Sequence, residues 1–310
     1  MKRFFILASA AIVALASCAK TEVVYKDAPQ EIAFKALTGV MTKAPVLSTA
    51  FPDDQSMTVY AWNHADNAAY FTQEFAKSED SWAGTTAQYY PTTGSLNFVA
   101  YTTNDVVTPA VTDYETYTYT LADNTTVQHD LMVSEYVHDQ ASTSTAVGMK
   151  FNHALALLEV NFMCTGTAVT VNSVTITGTK QEGVVVVTYE VDEATGNVAP
   201  IIGTWDVTED DDVPMTETHD ATLTAGAEAE NFAHFLVVPE DGDEKDLTVA
   251  YTLNGNPFTH TIDLGEIDDA TAWETGKKYV YNVTIGLDEI RLSPSVEPWA
   301  AGATPTIPSI

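Results

Sequence analysis

Cysteine is scarce. Cys18 and Cys164 are the two in 310 residues, so no disulfide framework staples the chain and its apolar cores must hold it together. Cys164 reads as a buried strand residue. Basic residues are scarce as well: Lys and Arg total 13 against 43 Asp and Glu, a formal net charge of -30. Such a chain repels nucleic acid and anionic membrane surfaces, whose phosphates need a basic footprint. The charge suits a secreted protein that must stay soluble at high local density. Catalytic signatures are missing too. There is no Gly-x-Ser-x-Gly elbow, no phosphate-cradling glycine loop and no His-Glu-x-x-His. The seven histidines (His64, His129, His138, His153, His219, His234 and His260) are dispersed, with none at metal-ligand spacing. The acidic runs at 209–212 and 240–244 lack the glycine-spaced loop of a calcium site and read as solvated loops. No enzyme, cofactor or metal is expected.

What is present begins with an address. Lys2 and Arg3 precede an apolar run over residues 4–15, too short to span a bilayer as a stable helix. Leu15-Ala16-Ser17-Cys18 follows, small residues before a cysteine in the manner of a lipobox. Cysteine is what that chemistry needs, because its sulfur takes a diacylglycerol thioether before cleavage. Residues 1–17 are therefore expected to be a lipoprotein-type signal peptide, Cys18 the lipidation site, and 18–30 a polar tether to the acyl chains. No later stretch is apolar enough to cross a membrane.

The rest alternates with the period of strands. Glu31-Ile32-Ala33-Phe34-Lys35-Ala36 places Ile32, Phe34 and Ala36 on one side, a first strand over 31–37. A loop over 38–50 follows and carries Lys43 and Ala44. Met57 to Trp62, Leu96 to Tyr101 and Tyr114 to Tyr119 alternate in turn, rich in Thr, Val and Tyr, which suit a pleated, half-buried surface. A second series starts near residue 147, and 151–162 reads as one long apolar strand with His153 satisfied by backbone partners. The expected fold is all-β, with one antiparallel β-sandwich over 31–147, another over 148–287, and a C-terminal extension over 288–310. Trp62, Trp82, Tyr89, Tyr90 and Trp273 lie in or beside alternating runs, so packing comes before a sugar-binding face.

These residues carry a resemblance. The lipobox, Pro29-Gln30-Glu31-Ile32-Ala33-Phe34 and Met41-Thr42-Lys43-Ala44 resemble the fimbrillin and fimbrillin-like lipoproteins of Bacteroides-type bacteria, subunits of type V pili. So do Tyr89-Tyr90-Pro91, Leu96-Asn97-Phe98, Asp130-Leu131-Met132-Val133, Phe151-Asn152-His153-Ala154-Leu155, Trp273-x-x-Gly276-x-x-Tyr279-x-Tyr281-Asn282 and Val296-x-x-Trp299. The resemblance implies two transthyretin-like β-sandwich domains and export to the outer face of the outer membrane. It also implies a cut by a trypsin-like protease in the loop after the first strand, here after Lys43, and then assembly into a fimbrium with other pilus subunits.

The expected mechanism is strand exchange. Cutting after Lys43 would free the strand carrying Ile32, Phe34 and Ala36, leaving an unpaired sheet edge and an apolar slot. A strand from a neighbour would fill both. The extension offers Ile290, Leu292, Val296, Trp299 and Ile307, with Pro294, Pro298, Pro305 and Pro308 forbidding a helix. The same extension can instead fold back as an edge strand of its own molecule. Two other functions compete: a lipid-anchored surface module that binds a glycan or a host protein without polymerising, and a hydrolase with an unrecognised carboxylate pair.

Overall fold

The structure is a computed structural model, and it describes residues 29–38, 51, 55–78, 81–103, 110–111, 115–121, 128–191, 198–207, 213–240, 244–267, 272–287 and 289–299. Among them the regular elements are strands and one short 3-10 turn at Leu264–Glu266. The first series is β1 (Phe34–Thr38), β2 (Ser56–Asn63), β3 (Ala69–Ser78), β4 (Ser81–Gly84), β5 (Ser95–Thr103), β6 (Ala110–Val111), β7 (Thr116–Thr120), β8 (Met132–Ser134), β9 (Val137–Ala141) and β10 (Val147–His153). The second is β11 (Ala156–Cys164), β12 (Val169–Thr177), β13 (Glu182–Val191), β14 (Val198–Ile202), β15 (Asp206–Val207), β16 (Met215–Leu223), β17 (Glu230–Val237), β18 (Asp246–Leu253), β19 (Asn256–Asp263), β20 (Lys277–Ile285) and β21 (Ile290–Pro298).

Period-two burial explains why these segments are strands. Along β10, Val147, Met149, Phe151 and His153 are buried, while Gly148, Lys150 and Asn152 between them are half-buried. Successive side chains of a strand point to opposite faces, so this pattern leaves one register in which the apolar set reaches the core. The first series makes one sheet in the order β2-β3-β4-β1-β10-β8-β5-β9, and β2 also pairs with β5, so the sheet curls back on itself. Its interior holds Phe34, Met57, Val59, Phe75, Phe98, Met149 and Phe151.

The second series forms a sandwich-like arrangement. Sheets β17-β11-β20-β21 and β16-β12-β18-β19 share one large core that includes Val160, Phe162, Val171, Val174, Phe235, Tyr281 and Val283. A third sheet, β14-β13-β7-β6, interlocks the two series: β7 pairs with β13 in the register Tyr117↔Val185. Tyr117 and Tyr119 are therefore buried in the second core.

Residues 151–162 are two strands rather than one. The apolar run is broken at Ala154 and Leu155, where the chain leaves the first sheet and enters the second. The freed backbone is satisfied across the junction. Ala154 N–H donates to Leu131 O, Ala154 O accepts from the Trp205 indole, and Leu155 O accepts from Gly276 N–H. Apolar residues continue through the break because both sides of it are buried.

Candidate functional site

Two places bear on assembly: the seat of the first strand and the seat of the extension. The first strand lies inside the curled sheet. β1 runs parallel to β10 through five residue pairs, from Phe34↔Val147 to Thr38↔Phe151, and touches β4 at one pair, Phe34↔Trp82. Just upstream, Ile32 N–H donates to Gln88 O at 2.7 Å and Tyr90 N–H to Gln30 O at 2.9 Å. Ala33 O accepts from Val147 N–H at 2.8 Å.

Ile32, Phe34 and Ala36 are 4%, 3% and 0% exposed. The Phe34 ring meets Phe75 and Phe98 edge to face, at centroid distances of 4.9 and 5.4 Å. Burial of side chains the size of Ile32 and Phe34 contributes about 1.5–3 kcal/mol each. The strand thus fills a slot in the first core while its backbone is held by a single long parallel partner. Phe51 is buried against Trp82 and Phe151. Cys18, Lys43 and Ala44 lie outside the described residues.

The extension forms β21, an edge strand antiparallel to β20 over nine pairs from Ile285↔Ile290 to Lys277↔Pro298. Ile290, Leu292, Pro294 and Val296 pair with Ile285, Val283, Tyr281 and Tyr279, the residues of β20 that enter the core. Ile290 and Leu292 are half-buried, while Val296 is 40% exposed. The prolines fit because an edge strand has one side free of ladder bonds. Lys278 joins the strands, 2.8 Å from Glu297 of β21 and 3.5 Å from Glu159 of β11. Ile307 lies outside the described residues.

Past β21 the chain turns inward. Trp299 N–H donates to Gly276 O at 2.9 Å, and its indole stacks on His153, centroids 3.7 Å apart and planes 8° from parallel. Gly276 has φ +68, a conformation open to glycine at no steric cost. His153 Nδ1 bonds the carboxylate of Asp130, so the partner of this nitrogen is a side chain and not the backbone. Burial pushes the Asp130 carboxyl above its ordinary range, and the His153 ring beside it pulls the other way. Asp130, His153 and Trp299 come from three of the short motifs singled out in the sequence. Their meeting was not legible there, because it is a contact between distant segments.

Elsewhere chemistry is thin. An open cleft of about 280 Å³ is lined by Trp205, Trp273, Glu240 and Glu274 among others. Both indole N–H groups turn inward, to Ala154 O and to the Tyr281 hydroxyl. Of the other aromatics noted in the sequence, Trp62, Trp82 and Tyr90 are buried and Tyr89 is exposed. His64 and His138, apart in sequence, stand with ring centroids 4.5 Å from each other. Among the described residues no three His, Cys, Asp or Glu side chains are placed to hold a metal ion.

The sequence model of the fimbrillin-like family matches residues 42–299. No curated protein sequence matches the chain. Among solved structures it is similar to a proposed cell adhesion protein of Bacteroides uniformis, at 19% identity and a TM-score of 0.55, covering 87% of this chain and 99% of that one. It is similar to another from Bacteroides ovatus, at 15% identity and a TM-score of 0.55, covering 88% and 99%. A fimbrial protein of Bacteroides vulgatus gives 16% identity and a TM-score of 0.50, covering 87% and 100%. At these identities the likeness is one of fold.

Proposed function

This chain belongs to the fimbrillin-like family, and from that premise we propose that it is a structural subunit of a cell-surface fimbria. It is exported as a lipoprotein acylated at Cys18, reaches the outer membrane surface, and is cut after Lys43 by a trypsin-like protease. It then joins other pilus subunits by donor-strand exchange. The two transthyretin-like sandwiches of such subunits are the fold in which this exchange takes place.

One observation carries the reading. Ile32, just before β1, and Phe34 and Ala36 of β1 are buried in the first core, upstream in sequence of Lys43. A strand so placed can be lost as a unit once the chain is cut after Lys43. Its departure exposes the N–H and C=O groups of β10 and an apolar slot, a template for another strand. The donor is the extension, with Ile290, Leu292, Val296, Trp299 and Ile307 as the side chains that enter. The extension already buries part of this surface on its own molecule. The drive for exchange is therefore the difference between the two seats, and it comes chiefly from refilling the slot. Because donor and acceptor lie on different surfaces, the contact repeats head to tail and builds a filament.

The test is limited proteolysis of the native chain with a lysine-specific protease, followed by mass spectrometry and electron microscopy. Cleavage after Lys43 and filaments in the cut sample are expected. An intact Lys43–Ala44 bond in a sample cut elsewhere would overturn the maturation step. Cut monomers that never polymerise, alone or with sister subunits, would overturn the assembly step.

A further inference from the structure

We propose that Trp299 is a latch that holds the C-terminal strand on its own molecule and so withholds the donor from its neighbours. The inference rests on the assembly reading above, but it concerns the uncut monomer. Three observations carry it. First, the side chains of β21 bury little although its backbone pairs with β20 over nine residues: Ile290 and Leu292 are half-buried, Ser293, Ser295 and Glu297 face solvent, and Val296 is 40% exposed. Second, the strand ends on a strong anchor. Trp299 is 7% exposed, its ring covers His153, and its N–H is bonded to Gly276 O. Third, the anchor point belongs to the other half of the fold. His153 is the last residue of β10, whose earlier residues Val147 to Phe151 pair with the first strand. One strand thus carries the first strand along its length and the latch at its end.

The seat is built to release as well as to hold. His153 Nε2 is buried with no hydrogen-bond partner among the described residues. A buried polar atom left unpaired costs free energy that solvation returns. Withdrawal of the indole opens this nitrogen to water, which offsets part of the cost of opening. Lys278–Glu297, on the exposed side of the strand, is a surface pair and adds little. Beyond its ladder to β20, the side-chain hold on β21 therefore concentrates at Trp299.

The experiment is hydrogen exchange with mass spectrometry on the full, uncut chain, comparing wild type with Trp299→Ala. Removing a buried tryptophan weakens the site that closes β21, so its amides and the β20 amides paired to it should exchange on the order of 100-fold faster. The amides of β11 and β12 should keep their wild-type rates. Equal protection of β21 in both proteins overturns the latch. If Trp299→Ala loses protection throughout, Trp299→Leu decides. It keeps an apolar side chain in the seat without the stacked ring, and local acceleration at β21 supports the latch whereas wild-type protection there overturns it. The readout is made on the monomer. Failure to form filaments after cleavage would count against assembly and leave this result standing.

Discussion

Phe34 and Phe98 meet edge to face inside the first core, ring centroids 5.4 Å apart, and the two residues come from strands that are not neighbours in the sheet. The contact is made across the interior, so Phe34 is a core residue even though β1 is only five residues long. Its ring also touches Phe75, and both contacts disappear if the first strand leaves.

Phe34→Ala should therefore destabilise the uncut chain by about 3–5 kcal/mol, the usual range for deleting a buried aromatic ring. In a chain from which residues up to Lys43 have been cut and washed away, the same substitution should have no effect, since it goes with the lost piece. Urea denaturation of both forms checks this. A first strand that stays bound through repeated washing would show that its seat does not empty.

The alternation of Ile32, Phe34 and Ala36 was legible because one face of the strand is buried and the period is two. Its parallel partner β10 was not, because pairing over such a separation is a tertiary fact. The break at Ala154–Leu155 was hidden for a different reason. Polarity marks a boundary where backbone meets water, and this boundary is buried, with its carbonyls bonded to Trp205 and Gly276. The extension's prolines excluded a helix but allowed both an edge strand and a donor, and β21 is the first of these in the monomer. His153 was visible as a histidine in an apolar run. Its carboxylate partner and its tryptophan cover were not, since each is supplied by a different segment.

Glu217 gives a pH-dependent prediction. It lies on the edge strand β16 opposite Val174 of β12, is 7% exposed, and burial raises its carboxyl above the ordinary 4.5. The native state therefore binds this proton more tightly than the unfolded chain does. Its contribution to stability falls as pH rises from about 4.5 through the raised native value. Glu217→Gln should abolish that part of the slope, so the gap between mutant and wild type should grow in the mutant's favour over this window. Thermal melts from pH 4 to pH 7 would show it, and parallel curves for the two proteins would refute it.

Cys164 should be unreactive in the native state. It is fully buried, with Sγ 3.5 Å from Leu223 O, and burial raises its thiol above the ordinary value. Thiolate is the reacting form, and both access and ionisation are denied to it. In a Cys18→Ser chain, labelling by a thiol reagent should proceed only as fast as the second core opens, and should accelerate in step with denaturant. Prompt stoichiometric labelling in buffer would contradict the burial.

Val296 separates the monomer from the joint. In the monomer it is 40% exposed although it pairs with Tyr279, a residue that enters the core. Val296→Asp should thus change the stability of the uncut chain by no more than about 0.5 kcal/mol, as exposed positions usually do. A donor strand, by contrast, would bury this side chain in a neighbour's slot. Burial of a valine contributes about 1.5–3 kcal/mol, and a carboxylate in its place must be desolvated as well. Cut Val296→Asp chains should therefore assemble poorly, with joints that come apart in milder denaturant, while their melting as monomers matches wild type. Gel analysis of polymers alongside monomer melts reads both sides. Normal polymers from this variant would mean that Val296 does not enter the neighbour, and the donor would have to be sought elsewhere in the extension.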